Sequence, residues 1–258
     1  MTSPDEFLAL LHASHDRLAA AVEPLTPEQL TGQAYPTEWS IAQVMSHMGS
    51  GAQIFGGQMK AAADGGEAPG FESFKQVWAE WNAKTPSAQA ADALVADTAF
   101  LDWADGLTDE QRSTYTVNLF GMDQDLAGGL AMRLGEHTLH SWDVLVALDP
   151  AATLPADASG VILEGLHPLV ARAGKPVAKP KQVAVHTVDP SRQLQLNLGT
   201  DDAEPLEGEP AAPDATVELP AEAFVRLVYG RLDPEHTPAG VTAEGIDLPT
   251  LRAAFPGF

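Results

Sequence analysis

Residues 123–148, DQDLAGGLAMRLGEHTLHSWDVLVAL, carry the pattern on which the architecture turns. Leu126, Leu130, Leu134, Leu139, Val144 and Leu145 recur as the core positions of a helix, Asp123 stands where a cap is needed, and Asp149-Pro150 ends the segment. A polar stripe runs through this apolar frame. Glu136 and His140 are four residues apart, so a helix stacks them on one face, with Arg133 and Asp143 on nearly the same line. Burying a carboxylate among leucines is costly unless a metal or another cation compensates.

Working outward, the first 150 residues read as further helices with clear starts. Phe7, Leu11, Leu18 and Val22 form one stripe before Pro24 ends the segment, and Thr26-Pro27-Glu28 opens a short turn. Ser40 with Gln43 makes a capping box for a helix through Ile41, Val44, Met45 and Met48, on to Met59, with His47 inside it. After the break at Gly65–Gly70, the apolar spacing predicts a helix over Phe71–Trp81. Thr85-Pro86 starts a longer one toward Trp103, and Thr108–Arg112 a short one. Long helices with loops between them are the pattern of a four-helix bundle, a fold that builds metal sites from inward-facing side chains.

Beyond this the composition changes. Asp149–Ser159, rich in Ala, Pro and Asp, is the expected linker between a domain 1–150 and a domain 151–258. A helix is expected around Val161–Ala171. Alternation at Val183, Val185 and Thr187 and again at Leu194, Leu196 and Leu198, with Asp189-Pro190-Ser191 between, predicts a β-hairpin. Asp201–Pro213 reads as a surface loop, Thr216–Leu219 as a strand entering a helix Ala221–Tyr229, and Val241-Thr242 and Leu248–Phe255 as a last strand and helix. The fold class expected is two-domain α+β.

The chain has 258 residues, 45% of them hydrophobic, and no apolar run of the length a membrane span needs. Its start, MTSPDEFLAL, lacks the basic and apolar regions of a secretory signal, so a cytoplasmic location is expected. A formal charge of -22 disfavours nucleic acids and anionic membranes as partners. There is no cysteine, which excludes disulfides, thiolate metal sites and a cysteine nucleophile, and leaves His, Asp and Glu as metal ligands. Any thiol chemistry must use a thiol from outside.

From spacing alone, several readings of the polar stripe stay open. Glu136 and His140 are an ordinary surface pair, or the carboxylate bonds Arg133, or the two ligate a metal; His137 with His140 is a competing pair. His47 alone reads as a core histidine. His12 and His15 on the first helix form a rival pair, and His167, His186 and His236 stand isolated.

Pro36-Thr-Glu-Trp39-Ser40-Ile-Ala-Gln-Val-Met-Ser-His47-Met resembles a segment of the mycothiol-dependent maleylpyruvate isomerase family, with the Trp39 to His47 spacing matched and the proline one residue further from the tryptophan. Glu136-His-Thr-Leu-His140-Ser-Trp142-Asp143-Val144 is similar to that family's second segment. Leu219-Pro-Ala-Glu-Ala-Phe-Val-Arg-Leu-Val-Tyr-Gly230-Arg231-Leu and Leu251-Arg-Ala-Ala-Phe255-Pro-Gly-Phe resemble its carboxyl-terminal domain. The resemblance implies a DinB-like bundle followed by a domain like sterol carrier protein. It implies zinc, or another divalent metal, on His47, Glu136 and His140, and mycothiol, the small thiol of actinobacteria, as cosubstrate. Three such ligands leave a coordination position open, as catalytic sites do, and the metal would activate the thiol as thiolate for attack on a small electrophile. Asp143 would orient a ligand or meet a substrate ammonium, while Arg231 and Arg226 would meet an anionic substrate; plain surface roles compete with each. Isomerase and transferase both fit. A metal-dependent hydrolase on the same bundle, and a non-catalytic binding protein with a structural metal, remain as rivals.

Overall fold

A computed structural model describes residues 2–119, 121–199, 203–208 and 210–257, and divides the chain into two compact units, 1–152 and 153–258. The first unit begins with α1 (Pro4–Val22), α2 (Pro27–Leu30), α3 (Ile41–Ala63), α4 (Phe71–Asn82), α5 (Pro86–Asp105) and α6 (Asp109–Thr114). A small hairpin, β1 (Val117–Leu119) and β2 (Met122–Gln124), leads into α7 (Leu126–Leu148). Local chemistry sets the starts. Capping boxes close the N-termini of α1, α2, α3 and α6 through Ser3–Glu6, Thr26–Gln29, Ser40–Gln43 and Thr108–Gln111, each satisfying amides that the helix itself leaves unpaired.

The long helices α1, α3, α5 and α7 form the bundle, with α3 packed on both α5 and α7 and α1 on both α7 and α5. Leu11 and Leu18 of α1, Val44, Met45 and Met59 of α3, Phe100 of α5 and Leu130, Leu134 and Trp142 of α7 are buried in its core. Gly49 permits the approach of α3 to α5: a Cβ there would lie 2.2 Å from the Trp81 ring and 2.9 Å from the Ala93 backbone.

Asp123 is not the cap of α7. It lies in β2, accepting from Asn118 Nδ2 at 2.7 Å, and Asp125 caps α7 by accepting from the Gly128 amide at 2.8 Å. The hairpin escapes the periodicity because each strand has three residues, and Gly121, at φ 85°, supplies its turn.

The second unit contains α8 (Ala156–Glu164), α9 (His167–Ala173), β3 (Lys181–Val188), β4 (Arg192–Leu198), β5 (Ala203–Glu207), β6 (Ala215–Pro220), α10 (Ala221–Val228), β7 (Thr242–Glu244) and α11 (Leu248–Ala254). Its sheet runs β5-β4-β3-β6-β7, antiparallel throughout except for the parallel β3–β6 pair. The expected hairpin is β3–β4. Three expectations change. The helix placed at Val161–Ala171 is two helices broken at Gly165 and Leu166, α8 occupies the end of the expected linker, and the stretch read as a loop contains β5. Pro205 lies in that strand, which sits on the sheet edge where a missing amide breaks no interior ladder. The helix α10 is buried along its whole length, Glu222 and Arg226 included.

Candidate metal centre

The bundle brings one residue of α3 and two of α7 together. His47 Nε2 lies 4.0 Å from Glu136 Oε2, His140 Nε2 lies 3.6 Å from the same oxygen, and the two imidazole centroids are 4.5 Å apart. One donor atom from each residue falls within 4.8 Å of the others. These separations are too long for good hydrogen bonds. Two donors held about 2.1 Å from a tetrahedral ion stand about 3.4 Å apart, so the set fits one shared cation after small adjustments. Two imidazoles and one carboxylate are also the donors zinc accepts in sites that keep a position for exogenous ligand.

The surroundings orient these donors. Asp143, on α7, has no exposed surface, and its Oδ2 accepts from His140 Nδ1 at 2.9 Å, which turns the Nε2 lone pair toward Glu136 and His47. Trp39 lies over both rings, 5.1 Å from His47 and 6.4 Å from His140 between centroids. The loop that carries Trp39 is tied to α7: the Tyr35 amide donates to the Asp143 carbonyl at 3.0 Å, and the Tyr35 ring meets Trp142 edge-on at 4.8 Å.

Electrostatics leave His47 and Glu136 unprotonated at neutral pH. Burial, with the neighbouring His140 adding to it, lowers the His47 imidazole to about 4. Burial would raise Glu136, but His140, His47 and the Arg133 guanidinium outweigh it and hold that carboxyl at about 2. Glu136 is 48% exposed, so the cluster opens outward on the carboxylate side.

A second cluster lies deeper, and its geometry differs. His15 Nδ1 donates to Asp97 Oδ2 at 2.9 Å, His137 Nε2 lies 2.8 Å from that oxygen, and Arg133 Nη2 donates to Asp97 Oδ1 at 2.7 Å. His137 Nδ1 shares a hydrogen bond with Ser14 at 2.9 Å. These are hydrogen-bond distances, and the guanidinium already supplies the cation, so this set reads as a buried polar tie joining α1, α5 and α7. Asp97 is held far below the ordinary carboxylate range: burial opposes this, but His137, His15 and Arg133 prevail. His137 therefore faces away from His140, and Arg133 pairs with Asp97, not Glu136. Asp97 carried no signal in the sequence; only the packing of α5 reveals it.

The remaining candidates lie elsewhere. His12 bonds Asp105 at 2.9 Å and forms no pair with His15. His186 lies 3.8 Å from Glu218, and His236 contacts Asp233 at 2.8 Å. Arg226 is buried in a two-pronged pair with Glu222, at 2.7 and 2.8 Å, and donates to the Arg231 and His236 carbonyls. That occupies it as a structural clamp, not as a group for an anionic substrate. Arg231 follows α10 and its Nη1 donates to the Tyr229 carbonyl at 2.9 Å.

No described helix is long and apolar enough to cross a membrane. The mycothiol maleylpyruvate isomerase N-terminal domain matches residues 11–145, and the carboxyl-terminal domain of the same enzymes matches residues 156–252. No curated protein matches the chain. Among solved structures it is similar to a crystal structure of the mycothiol-dependent maleylpyruvate isomerase, with TM-score 0.68, 18% identity and 96% of each chain covered. A variant of that enzyme with one histidine changed to alanine matches with TM-score 0.68, 17% identity and the same coverage. With both of its domains matched in order, the chain belongs to the mycothiol maleylpyruvate isomerase family of enzymes.

Proposed function

We propose that this protein is a metal-dependent enzyme that takes mycothiol as cosubstrate and acts, as isomerase or transferase, on a small electrophile, with His47, Glu136 and His140 holding zinc. The spacing of the three donors carries the reading: at 3.6 and 4.0 Å they are too far apart to satisfy one another and close enough to share an ion. Bound there, a divalent cation supplies the positive charge that lowers the pKa of a thiol into the neutral range.

The chain's own residues do the rest. His47, lowered to about 4, offers a free lone pair at neutral pH without first losing a proton. Glu136 contributes a single negative charge, so a divalent ion stays net positive toward an incoming sulfur. Asp143 fixes the tautomer of His140, and Trp39 restricts both rings. The nucleophilic sulfur comes from outside, since the chain has no cysteine. A cytoplasmic setting, where such a thiol is abundant, goes with this reading.

A hydrolase would need a general base beside the ion. Asp143 is shut behind His140 and His137 is turned to Asp97, which disfavours that alternative. The similar solved structures are of the mycothiol-dependent maleylpyruvate isomerase, so maleylpyruvate is the first substrate to assay. Conversion is expected only with both metal and mycothiol present, and to fall to background in His140→Ala while helical circular dichroism is kept. Equal conversion without any thiol would contradict the proposal.

A further inference from the structure

The loop between α2 and α3, residues 31–40, leads into the helix that carries His47 and places Trp39 over both histidine rings of the cluster. Trp39 and His47 also line one cavity, of about 380 Å3. The position of this one indole is therefore felt by two of the three donors and by the space beside them. Little regular structure holds it: Pro36 has no amide to give, and Thr37 and Glu38 are exposed.

One side chain gathers the loop. Gln33 Nε2 donates to the Pro36 carbonyl at 2.7 Å, to the Trp39 carbonyl at 2.7 Å and to the Ala34 carbonyl at 3.2 Å. An amide NH2 has two hydrogens, so one of them is shared and the whole group is spent on the loop. Backbone bonds complete the frame. The Ala34 amide donates to the Trp39 carbonyl at 3.0 Å, the Trp39 amide to the Pro36 carbonyl at 3.0 Å, and the Ile41 amide to the Gly32 carbonyl at 2.9 Å. Two of the three carbonyls that Gln33 reaches are thus that of Trp39 and the one to which the Trp39 amide donates. Tyr35, whose amide donates to the Asp143 carbonyl, anchors one side of the loop to α7, and Gln33 ties the other side, where Trp39 stands, to that anchor.

We propose that Gln33 is a positioning residue of the metal centre: through its hold on the Trp39 backbone it keeps the indole over His47 and His140, and so fixes the two imidazoles for one shared ion. Gln33 touches neither imidazole ring; its action passes through Trp39. The consequence for the ion rests on the function proposed above, whereas the hold on Trp39 does not.

Gln33→Met removes both N–H donors at similar length and adds no charge, and because Gln33 is exposed the freed carbonyls turn to water and the bundle keeps its fold. In metal-free protein, NMR cross-relaxation between the Trp39 indole and the imidazole C–H protons of His47, whose ring centroids are 5.1 Å apart, is expected to be lost in the variant. Zinc affinity, read by competition with a chelating dye, is expected to fall about fivefold, a factor that one net hydrogen bond is worth. The visible absorption of cobalt-loaded protein should change with it, as the loosened imidazoles alter the coordination. Trp39→Ala is expected to do the same, and Gln33→Met on top of it to add nothing further. A residue that only closed a surface loop would lower the urea midpoint and leave cross-relaxation, zinc affinity and cobalt spectrum as in the parent. That pattern, or additive losses in the double variant, overturns the proposal. A parent that binds neither metal overturns the proposed function, and cross-relaxation still decides the hold of Gln33 on Trp39: lost in Gln33→Met it stands, kept it falls.

Discussion

The two histidine-and-carboxylate clusters of the bundle use the same residue types on the same helix and come to opposite ends. Glu136 and His140 face His47 across an opening, with donors 3.6 and 4.0 Å apart. One residue further along α7, His137 turns the other way and joins His15, Asp97 and Arg133 at 2.7 to 2.9 Å. In the close set His15, His137 and Arg133 each place a nitrogen at hydrogen-bond distance from an oxygen of Asp97. The wide set has the spacing at which one shared ion would fit. The contrast between the two sets thus lies in the spacing of their donors, not in the residue types.

The largest effect expected is on the closed cluster. Asp97→Ala leaves Arg133 and two histidines buried without their anion, and should cost about 3–5 kcal/mol in urea unfolding of metal-free protein. It should leave metal stoichiometry unchanged in the fraction that folds. Glu136→Ala is the converse: metal binding is lost, but since the side chain is 48% exposed, metal-free stability should move by less than about 1 kcal/mol. If both substitutions act alike, the distinction between the clusters fails.

A smaller effect is expected behind the metal centre. Asp143→Asn keeps shape but weakens the hold on His140 Nδ1, and metal affinity, read by competition with a chelating dye, should drop about tenfold. An unchanged affinity would make Asp143 merely a buried polar residue.

The smallest is a difference in titration. In metal-free protein His47 is lowered from 6.5 to about 4, so between those values the unfolded chain binds a proton that the folded one refuses, and stability falls as pH falls through that window. His15 is raised above 6.5 by its bond to Asp97; its contribution is full below 6.5 and is lost as pH rises through the folded value. Imidazole C–H shifts in NMR should show His47 titrating well below His15, and coincident midpoints would remove this contrast.

What the sequence made legible follows the range of the interactions. Ser40 with Gln43 and Thr26 with Gln29 act within one turn, so those helix starts were readable, and alternation at Val183–Thr187 and Leu194–Leu198 disclosed the hairpin. The same locality misplaced the α7 cap: Asp123 and Asp125 are equal candidates until β1 pairs with β2. Pro205 hid β5, since proline argues against a strand everywhere but at an edge. Within the candidate site, Glu136 and His140 were visible as neighbours on a helix, but whether His137 or His140 faced His47 was decided by how α7 packs against α1 and α3. Family resemblance stood in for that packing. Nothing stood in for Asp97, which lies in an alanine-rich helix and acquires its role through contacts with α1 and α7 alone.

The most direct test of the account is elemental analysis of the purified, dialysed protein, joined to X-ray absorption at the edge of the metal found. The account predicts one divalent ion per chain with two imidazoles in its shell, and one fewer imidazole or no ion at all in His47→Ala and in His140→Ala. A full complement of metal in both variants, or none in the parent after zinc loading, would contradict it.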